Sequence, residues 1–224
     1  MKPKHIYIFI FSLFCLFGFA QQDSLKISKK RFIAFDQIFL SVDFFDPTIS
    51  LFSDKKGVKT QLTFHINKKF HAAIEAGYEQ NSFDDLGWIA DARGTYLKAG
   101  FIWFANLDSQ DKNSGFHLGS RLAISNFSHH ISQFPVFSTN DDTQQTYYSS
   151  FHSSSLSAYW LEFSLGGRMK IFDLPLYADF MVQPKIFITS TKDNDAEPLV
   201  IPGYGKNRNS YNLGLFWGIS YQLK

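Results

Sequence analysis

The stretch that decides the fold is YNLGLFWGISYQL, residues 211–223. Its odd-numbered positions are all apolar or aromatic, and its even-numbered positions are mostly small or polar. Because successive side chains of a β-strand point to opposite faces, this stretch predicts a strand with one apolar and one polar face. Aromatic residues stand near both ends of the apolar face, at Tyr211 and Tyr221. This pattern is typical of a transmembrane barrel strand, in which one face meets hydrocarbon and the other meets the lumen.

The same alternation recurs in seven earlier segments, so the sequence predicts eight strands. They are residues 37–45, 58–66, 70–79, 95–104, 116–126, 158–171, 176–189 and 211–223. With the N-terminus in the periplasm, the connections on the periplasmic side are short or of middling length: 67–69, 105–115 and 172–175. The connections on the outer side are mostly long: 46–57, 80–94, 127–157 and 190–210. We therefore predict an all-β fold, an eight-stranded antiparallel up-and-down transmembrane barrel with short periplasmic turns and long outer loops.

The first 20 residues have the pattern of a secretory signal peptide. Lys2 and Lys4 precede an apolar run over residues 6–19, and Gly18-Phe19-Ala20 ends it with small residues around a large one. The run is too short to span a bilayer as a helix. An uncleaved membrane anchor is the alternative, but the polar residues that follow at once favour cleavage. We predict a signal peptide (1–20), a periplasmic lead (21–36), a barrel (37–224) and export to the outer membrane.

Composition excludes several classes of function. The only cysteine, Cys15, lies in the predicted signal peptide, so the exported chain would have no disulfide, thiolate metal site or thiol nucleophile. There are 22 lysines and arginines against 20 acidic residues, and removal of Lys2 and Lys4 would make these numbers equal. Such a balance, without a basic run, predicts no nucleic-acid partner.

The polar faces of the predicted strands carry many charges. The basic side chains assigned to the lumen are Lys59, Lys98, Arg121, Arg168, Lys170 and Lys185. The acidic ones are Asp43, Glu75, Glu79, Glu162 and Asp179. An eight-stranded barrel is just wide enough for its own side chains. Since a buried charge is costly unless it is paired, we predict an ion-pair network that plugs the lumen.

Several motifs resemble those of a known family. They are Phe83-Asp84-Asp85, Trp88, the segment ADARGTY at 90–96, Phe127-Ser128-His129-His130, Trp160-Leu161-Glu162 and Ile201-Pro202-Gly203-Tyr204-Gly205. Together they resemble a family of small Bacteroidota outer-membrane proteins, number six-zero-four-eight of the domain-of-unknown-function series. The resemblance covers nearly all of the chain after the signal peptide and implies the same location and fold. The family carries no assigned activity, so the resemblance adds no catalytic residues.

Acidic residues and histidines in the predicted outer loops are the strongest candidates for chemistry. They are Asp84, Asp85 and Asp91 in one loop and His129 and His130 in another. A histidine beside a carboxylate can polarise water for hydrolysis, and Ser128 and His129 with Glu79 would be the set for a lipid deacylase. The simpler interpretation is that these side chains hydrogen-bond and solvate the loops. Adjacent histidines on an extended segment point in opposite directions, so we predict no metal site and no cofactor.

The sequence therefore predicts a small non-enzymatic barrel with a structural or surface-interaction role. Its expected partners are outer-membrane lipid, the barrel assembly machinery during insertion, and an extracellular glycan or protein bound by the outer loops. One alternative is an outer-membrane hydrolase with Asp/His groups at the outer rim. Another is a soluble periplasmic barrel that binds lipid in its lumen, which would need the apolar stripes to point inward.

Overall fold

The computed structural model describes residues 37–67, 69–85, 87–107, 111–137, 146–192, 197–207 and 210–223. The predicted signal peptide (1–20) and periplasmic lead (21–36) lie outside the described residues. Within the described residues, no helix has the length and apolar character needed to cross a membrane.

Eight antiparallel strands form a closed barrel. The elements are β1 (Ile38–Asp43), α1 (Phe45–Ile49), β2 (Lys56–His65), β3 (Phe70–Asp85), β4 (Trp88–Leu107), β5 (Gly115–Phe137), β6 (Thr146–Lys170), β7 (Leu176–Ser190), β8 (Val200–Ile201), β9 (Gly205–Lys206) and β10 (Tyr211–Gln222). The ring runs β1-β2-β3-β4-β5-β6-β7-β10 and closes between β10 and β1. The strands β8 and β9 form a separate small hairpin. Each of the eight predicted strands corresponds to one strand of the barrel, although several of the observed strands are much longer than predicted.

The two ends of the barrel differ. The terminal end carries Gln37 and Leu223, the limits of the described chain. At the opposite end, here called the distal end, β3 ends at Asp85, β4 begins at Trp88, and α1 follows β1. The hairpin β8–β9 belongs to the segment between β7 and β10, which also lies at the distal end.

The prediction of long loops at 80–94 and 127–157 is wrong. Strands β3 and β4 continue through the first of these segments and pair as far as Asp85 and Trp88. Strands β5 and β6 continue into the second, with pairs as far as Phe137 and Thr146. The other two predicted outer loops, 46–57 and 190–210, contain α1 and the hairpin β8–β9 instead of long strands.

The reason for this error is that the alternation of polarity inverts along the strands. In the terminal two thirds of β3 the apolar residues face outward: Ile74 is 42% exposed, and Glu75 is fully buried. Beyond Glu79 the buried side chains are Asn81 and the apolar Phe83, and Ser82 and Asp84 are exposed. The pattern of outward apolar residues along β3 therefore ends at Tyr78, although the strand itself continues to Asp85.

The distal part of the barrel encloses its own hydrophobic core. The core consists of Phe83, Ala90, Ala92, Tyr96, Ala123, Phe127, Ile131, Leu156, Ala158, Trp160, Val200, Ile201 and Tyr204. The last three belong to residues 197–207, here called the inserted loop, which folds into the barrel mouth. The rings of Trp160 and Tyr204 meet edge to face with centroids 5.8 Å apart. The inserted loop thus closes the distal end with apolar side chains.

Candidate functional site

The middle of the lumen is filled by a closed network of four ionised side chains. Glu75 contacts Lys98 and Arg121, each at 2.8 Å. Glu162 contacts the same two cations at 2.8 and 2.6 Å. The four residues come from the consecutive strands β3, β4, β5 and β6, and Glu75 lies directly opposite Lys98 as Arg121 lies opposite Glu162. None of the four is more than 2% exposed, so the network is a dry, charge-neutral layer across the lumen.

A second polar layer lies nearer the terminal end. The guanidinium Nε of Arg168 donates to Asp179 at 2.8 Å, and the hydroxyl of Ser220 donates to the other carboxylate oxygen of Asp179. The guanidinium of Arg168 also stacks over the ring of Phe39, 4.6 Å from its centroid. This layer is buried as well, which closes the lumen a second time.

The predicted set of inward charges is correct with one exception. Ten of the eleven are buried: Lys59, Lys98, Arg121, Arg168, Lys185, Asp43, Glu75, Glu79, Glu162 and Asp179. Lys170, the exception, is exposed at the terminal rim, where β6 ends. The predicted ion pairing is found as well, since nine of these ten form ion pairs within 4.0 Å. The tenth, Lys185, bonds to the inserted loop through the carbonyl oxygens of Gly203 and Tyr204.

A cavity of about 570 Å³ lies between the ion network and the distal end. Asp46 on α1 contacts Lys55 at 3.1 Å and Lys59 at 3.0 Å on one wall. Lys55 also contacts Glu79 at 2.5 Å, and Glu79 accepts a hydrogen bond from the backbone N–H of Gly203 at 2.5 Å. The cavity is therefore bounded by α1 on one side and by the inserted loop on the other.

The charges at α1 stabilise one another. Burial disfavours the ionised form of Asp46, but Lys59 and Lys55 outweigh this effect and hold its pKa below the ordinary value. Burial likewise favours the neutral form of Lys55, but Glu79 and Asp46 outweigh it and raise the pKa of that ammonium. Sequence reasoning misses Asp46 and Lys55, because both lie in a connection without strand periodicity.

The structure places two of the candidate catalytic residues, Asp91 and His130, side by side and puts Asp84, Asp85 and His129 elsewhere. Asp91 and His130 are cross-strand neighbours on the exposed outer face of β4 and β5. The Asp91 carboxylate accepts a hydrogen bond from Ser82 at 2.6 Å, and the His130 ring lies 5.4 Å from that of His152 on β6. Asp84 and Asp85 lie instead at the tip of β3, opposite Ile89 and Trp88.

His129 points the opposite way from its neighbour His130, as expected for adjacent residues of a strand. It is 2% exposed, and its Nε2 accepts a hydrogen bond from the backbone N–H of Leu199 at 3.3 Å. Burial, together with His130, lowers the pKa of His129 to about 4, against a weak opposing effect of Asp91. His129 is thus a neutral acceptor that holds the inserted loop.

The part of the chain that the structure describes contains no group of three or more histidine, cysteine or carboxylate side chains placed to hold a metal ion. Asp91, His130 and His152 share one face, but they lie in a row across three strands, since each stands opposite the next.

Comparison with known families agrees with the motifs seen in the sequence. The family model described as Domain of unknown function (DUF6048) matches residues 4–224. The chain belongs to this family. The predicted resemblance is thereby confirmed for the family itself. No curated protein matches the chain at a significant level. The DUF6048 fold seen here is thus described by its own geometry: a closed barrel with a charged middle and an apolar distal core.

Proposed function

We propose that this chain is a small, non-enzymatic outer-membrane protein, an up-and-down transmembrane barrel whose lumen is plugged by paired charges. In this proposal the terminal end faces the periplasm, and the distal end faces the exterior as a surface for interaction. The inversion of polarity along the strands is the observation that carries the proposal.

An apolar belt surrounds the charged part of the barrel. Its exposed members on β2, β4, β5, β6, β7 and β10 include Val58, Leu97, Phe101, Leu122, Leu165, Phe180, Leu213 and Trp217, which are between 48% and 63% exposed. At this level the buried side chains are the ions of the central network. Water would favour the reverse arrangement, so an apolar exterior around a charged interior supports a hydrocarbon surrounding.

The belt has a defined height. Phe70 and Tyr78 are exposed aromatic residues near its two borders on β3, and eight residues of strand correspond to about 26 Å. A strand tilt of about 35–45° shortens this distance to about 18–21 Å along the barrel axis, somewhat less than the hydrophobic band of about 25 Å that is typical of such barrels. Beyond the distal border the outward side chains of β3 and β4 include Ser82, Asp84 and Asp91, and an apolar core lies inside, as in a protein surrounded by water. His129, α1 and the inserted loop lie on that distal side.

The proposed partners follow from this placement. Outer-membrane lipid would cover the belt, and the barrel assembly machinery would insert the chain. An extracellular glycan or protein would bind the distal hairpins β3–β4 and β5–β6, which extend beyond the belt. No catalytic step is required for such a role.

Heat modifiability tests the proposal. The purified chain in detergent should migrate differently on a gel with and without boiling, give a β-rich circular dichroism spectrum, and precipitate when detergent is removed. A protein that stays monodisperse in buffer alone would contradict the proposal. It would favour the soluble periplasmic lipid carrier, although that alternative needs apolar side chains inside the belt region, where the buried side chains are charged.

The hydrolase alternative is supported by one observation, the pairing of Asp91 with His130. A cavity of about 420 Å³ on the outer face adjoins both residues, with Ser128 and His152 nearby. Assays with ester and peptide substrates should show no turnover that depends on His130. Loss of a measured hydrolytic activity in His130→Ala, with activity retained in His152→Ala, would establish the alternative.

A further inference from the structure

The wall of the barrel has a gap beside β1. The backbone N–H of Phe44 donates to the carbonyl of Trp217 at 2.7 Å, and β1 ends there. Its two neighbours continue further towards the distal end, β10 over residues 211–216 and β2 over residues 56–59. Paired strands lie about 4.8 Å apart, so a missing strand leaves these two edges about 10 Å apart. We call the space between them the slot.

No backbone pair joins the two edges of the slot, but α1 packs against both of them, and side chains cross the space. The ammonium of Lys59 crosses from β2 and donates to the carbonyl of Leu215 on β10 at 2.9 Å. The same ammonium lies 6.0 Å from the ring centroid of Phe45 on α1. Opening the slot would require Lys59 to leave Leu215 and its ion pairs with Asp43 and Asp46, but no pair of strands would have to separate.

The distal cavity reaches into the slot. Its lining includes Asn212 and Gly214 as well as Leu213 and Leu215. Since successive residues of a strand point to opposite faces, a cavity that touches all four passes the edge of β10. The cavity therefore connects the interior of the barrel with its apolar outer face.

Two hydrogen-bond donors on β7 face this cavity. Gln183 is 1% exposed, and its Nε2 has no hydrogen-bond partner within the described residues. Lys185 uses two of its three N–H groups on the carbonyls of Gly203 and Tyr204, and no carboxylate of the described chain lies within 4.0 Å of it. Donors without a matching carboxylate favour an anionic group with several acceptor oxygens.

A glycine allows these two side chains to pack closely against β10. Gly214 lies opposite Gln183 on β10. A Cβ at Gly214 would stand 2.8 Å from Cε of Lys185 and 3.2 Å from Oε1 of Gln183. A larger residue would therefore displace the side chains of Lys185 and Gln183 from their positions in the cavity wall.

The outer side of the slot is apolar. Val58 on β2 and Leu213 on β10 are 55% and 61% exposed, and Phe44 at the start of the slot is 41% exposed. Just beyond α1, Leu51 and Phe52 are 78% and 84% exposed. An occupant with an anionic head and an apolar tail would match the donors inside and the apolar rim outside.

We propose that the distal cavity binds the phosphate headgroup of an anionic lipid. The headgroup enters from the side of the barrel, through the slot between β2 and β10. The phosphate oxygens accept from Nε2 of Gln183 and Nζ of Lys185, and the acyl chains stay outside against Val58 and Leu213. This inference rests on the proposed membrane location. It adds a ligand class and a route of entry to that proposal.

The test is a titration of the purified full chain in detergent micelles, with native mass spectrometry as the readout. The three probes are dimyristoyl phosphatidic acid, dimyristoyl glycerol with the same acyl chains, and inorganic phosphate. We expect phosphatidic acid to be retained and to bind at least about tenfold more tightly than either of the other probes, the effect of one charge-assisted hydrogen bond. Equal binding of dimyristoyl glycerol would overturn the role of the headgroup donors. Equal binding of inorganic phosphate would overturn entry of a lipid through the slot.

Two variants separate the site from the fold. Gly214→Val displaces the two donor side chains, and Lys185→Met removes one of the donors. Each should weaken phosphatidic acid binding about tenfold or more. The matched controls are Gly167→Val, where a Cβ would make only ordinary contacts at 3.8 Å or more, and Lys170→Met at the exposed terminal rim. Equal losses in variants and controls would overturn the site.

A heat-modifiability gel on the same samples reports the barrel independently. A shifted band without retention of phosphatidic acid overturns the lipid site and leaves the membrane proposal standing. Absence of the shift in the unsubstituted protein overturns both.

Discussion

Glu75 and Glu162 stand on strands that are not neighbours, yet each carboxylate bridges the same two cations, Lys98 and Arg121. Four strands are thereby tied together at one level of the lumen, and each charge has two partners of opposite sign. Loss of any one member leaves its partners underpaired in a place without water.

The first prediction concerns Glu75. Glu75→Gln removes one negative charge from the network and should lower the free energy of unfolding by about 3–5 kcal/mol, because Lys98 and Arg121 remain buried with one carboxylate between them. Urea unfolding in lipid vesicles, followed by tryptophan fluorescence, measures the change. The control is Glu197→Gln, whose ion pair with Lys192 at 2.8 Å is more than half exposed and should contribute less than about 1 kcal/mol. Similar losses in both variants would contradict a special role for the buried network.

The second prediction concerns charge balance. Arg121 and Glu162 lie opposite each other on β5 and β6, so their removal together keeps the lumen neutral. The double variant Arg121→Met/Glu162→Met should be more stable than the sum of its single variants predicts, since each single change leaves an uncompensated buried charge. The same urea experiment gives the coupling free energy. Additive losses would show that the two side chains act independently.

The third prediction concerns ion flow. Two buried polar layers and the inserted loop close the lumen, so the protein in a planar bilayer should show no stepwise ionic current. A channel-forming porin is the positive control for insertion and recording. Regular single-channel steps from the purified protein would contradict a plugged lumen.

The fourth prediction concerns pH. His129 accepts from the N–H of Leu199 only when its Nε2 is unprotonated, and its pKa is about 4 in the folded protein against 6.5 ordinarily. Its contribution to stability should be complete above pH 6.5, fall as the pH drops from 6.5 to 4, and change no further below 4. NMR titration of the His129 ring in micelles should give a midpoint near 4. A midpoint near 6.5 would show that the ring is not buried against the inserted loop.

Protection of the Leu199 amide gives a second readout of the same contact. After correction for intrinsic exchange, its protection should decrease over the same pH range, and His129→Phe should remove that pH dependence. A pH dependence that survives the substitution would assign it to another group.

The fifth prediction concerns Gly203 in the inserted loop. Gly203 has a φ of +80°, and a Cβ there would lie 2.6 Å from the ring of Tyr96. Gly87 in the β3–β4 turn has almost the same φ, +81°, but a Cβ there would meet nothing within 4 Å. Gly87→Ala should therefore lower the free energy of unfolding only by the cost of placing a residue with a Cβ at positive φ, about 1–2 kcal/mol. Gly203→Ala should lower it clearly more. Equal shifts in the unfolding midpoint would show that the loop yields to the added methyl group.

The sequence predicts the belt region well because one simple rule governs it. A strand such as β10 must present apolar side chains to the outside at every second position, and the lumen tolerates only small, polar or paired residues. Ten of the eleven inward charges follow from this rule. The prediction is wrong for Lys170 because this residue lies at the rim, where water solvates its charge whichever way it points.

The distal region is harder to predict because its environment is reversed. Asp84, Asp91 and His130 look like loop residues in a search for apolar outer faces, but they are the solvated outer face of long hairpins. The small residues Ala90 and Ala92 give little signal for the inner face, and nothing in the local sequence of 197–207 indicates that Val200, Ile201 and Tyr204 will fill the barrel mouth. That contact depends on tertiary packing.

The seam between β1 and β10 has a consequence for the order of folding. Ser41 and Ser220 share a hydrogen bond of 2.6 Å across this seam, although nearly the whole barrel sequence separates them. Each of the other barrel pairs joins strands that are neighbours in the sequence or, for β7 and β10, strands separated only by the segment that contains β8 and β9. These pairs can therefore form while the chain is still incomplete. The β1–β10 pairs cannot form before the last residues of β10 are present. The seam is also short, because β1 ends at Asp43. Barrel closure should therefore be the slow, final step of folding, and a chain that lacks β10 would remain an open sheet with two edges available for aggregation.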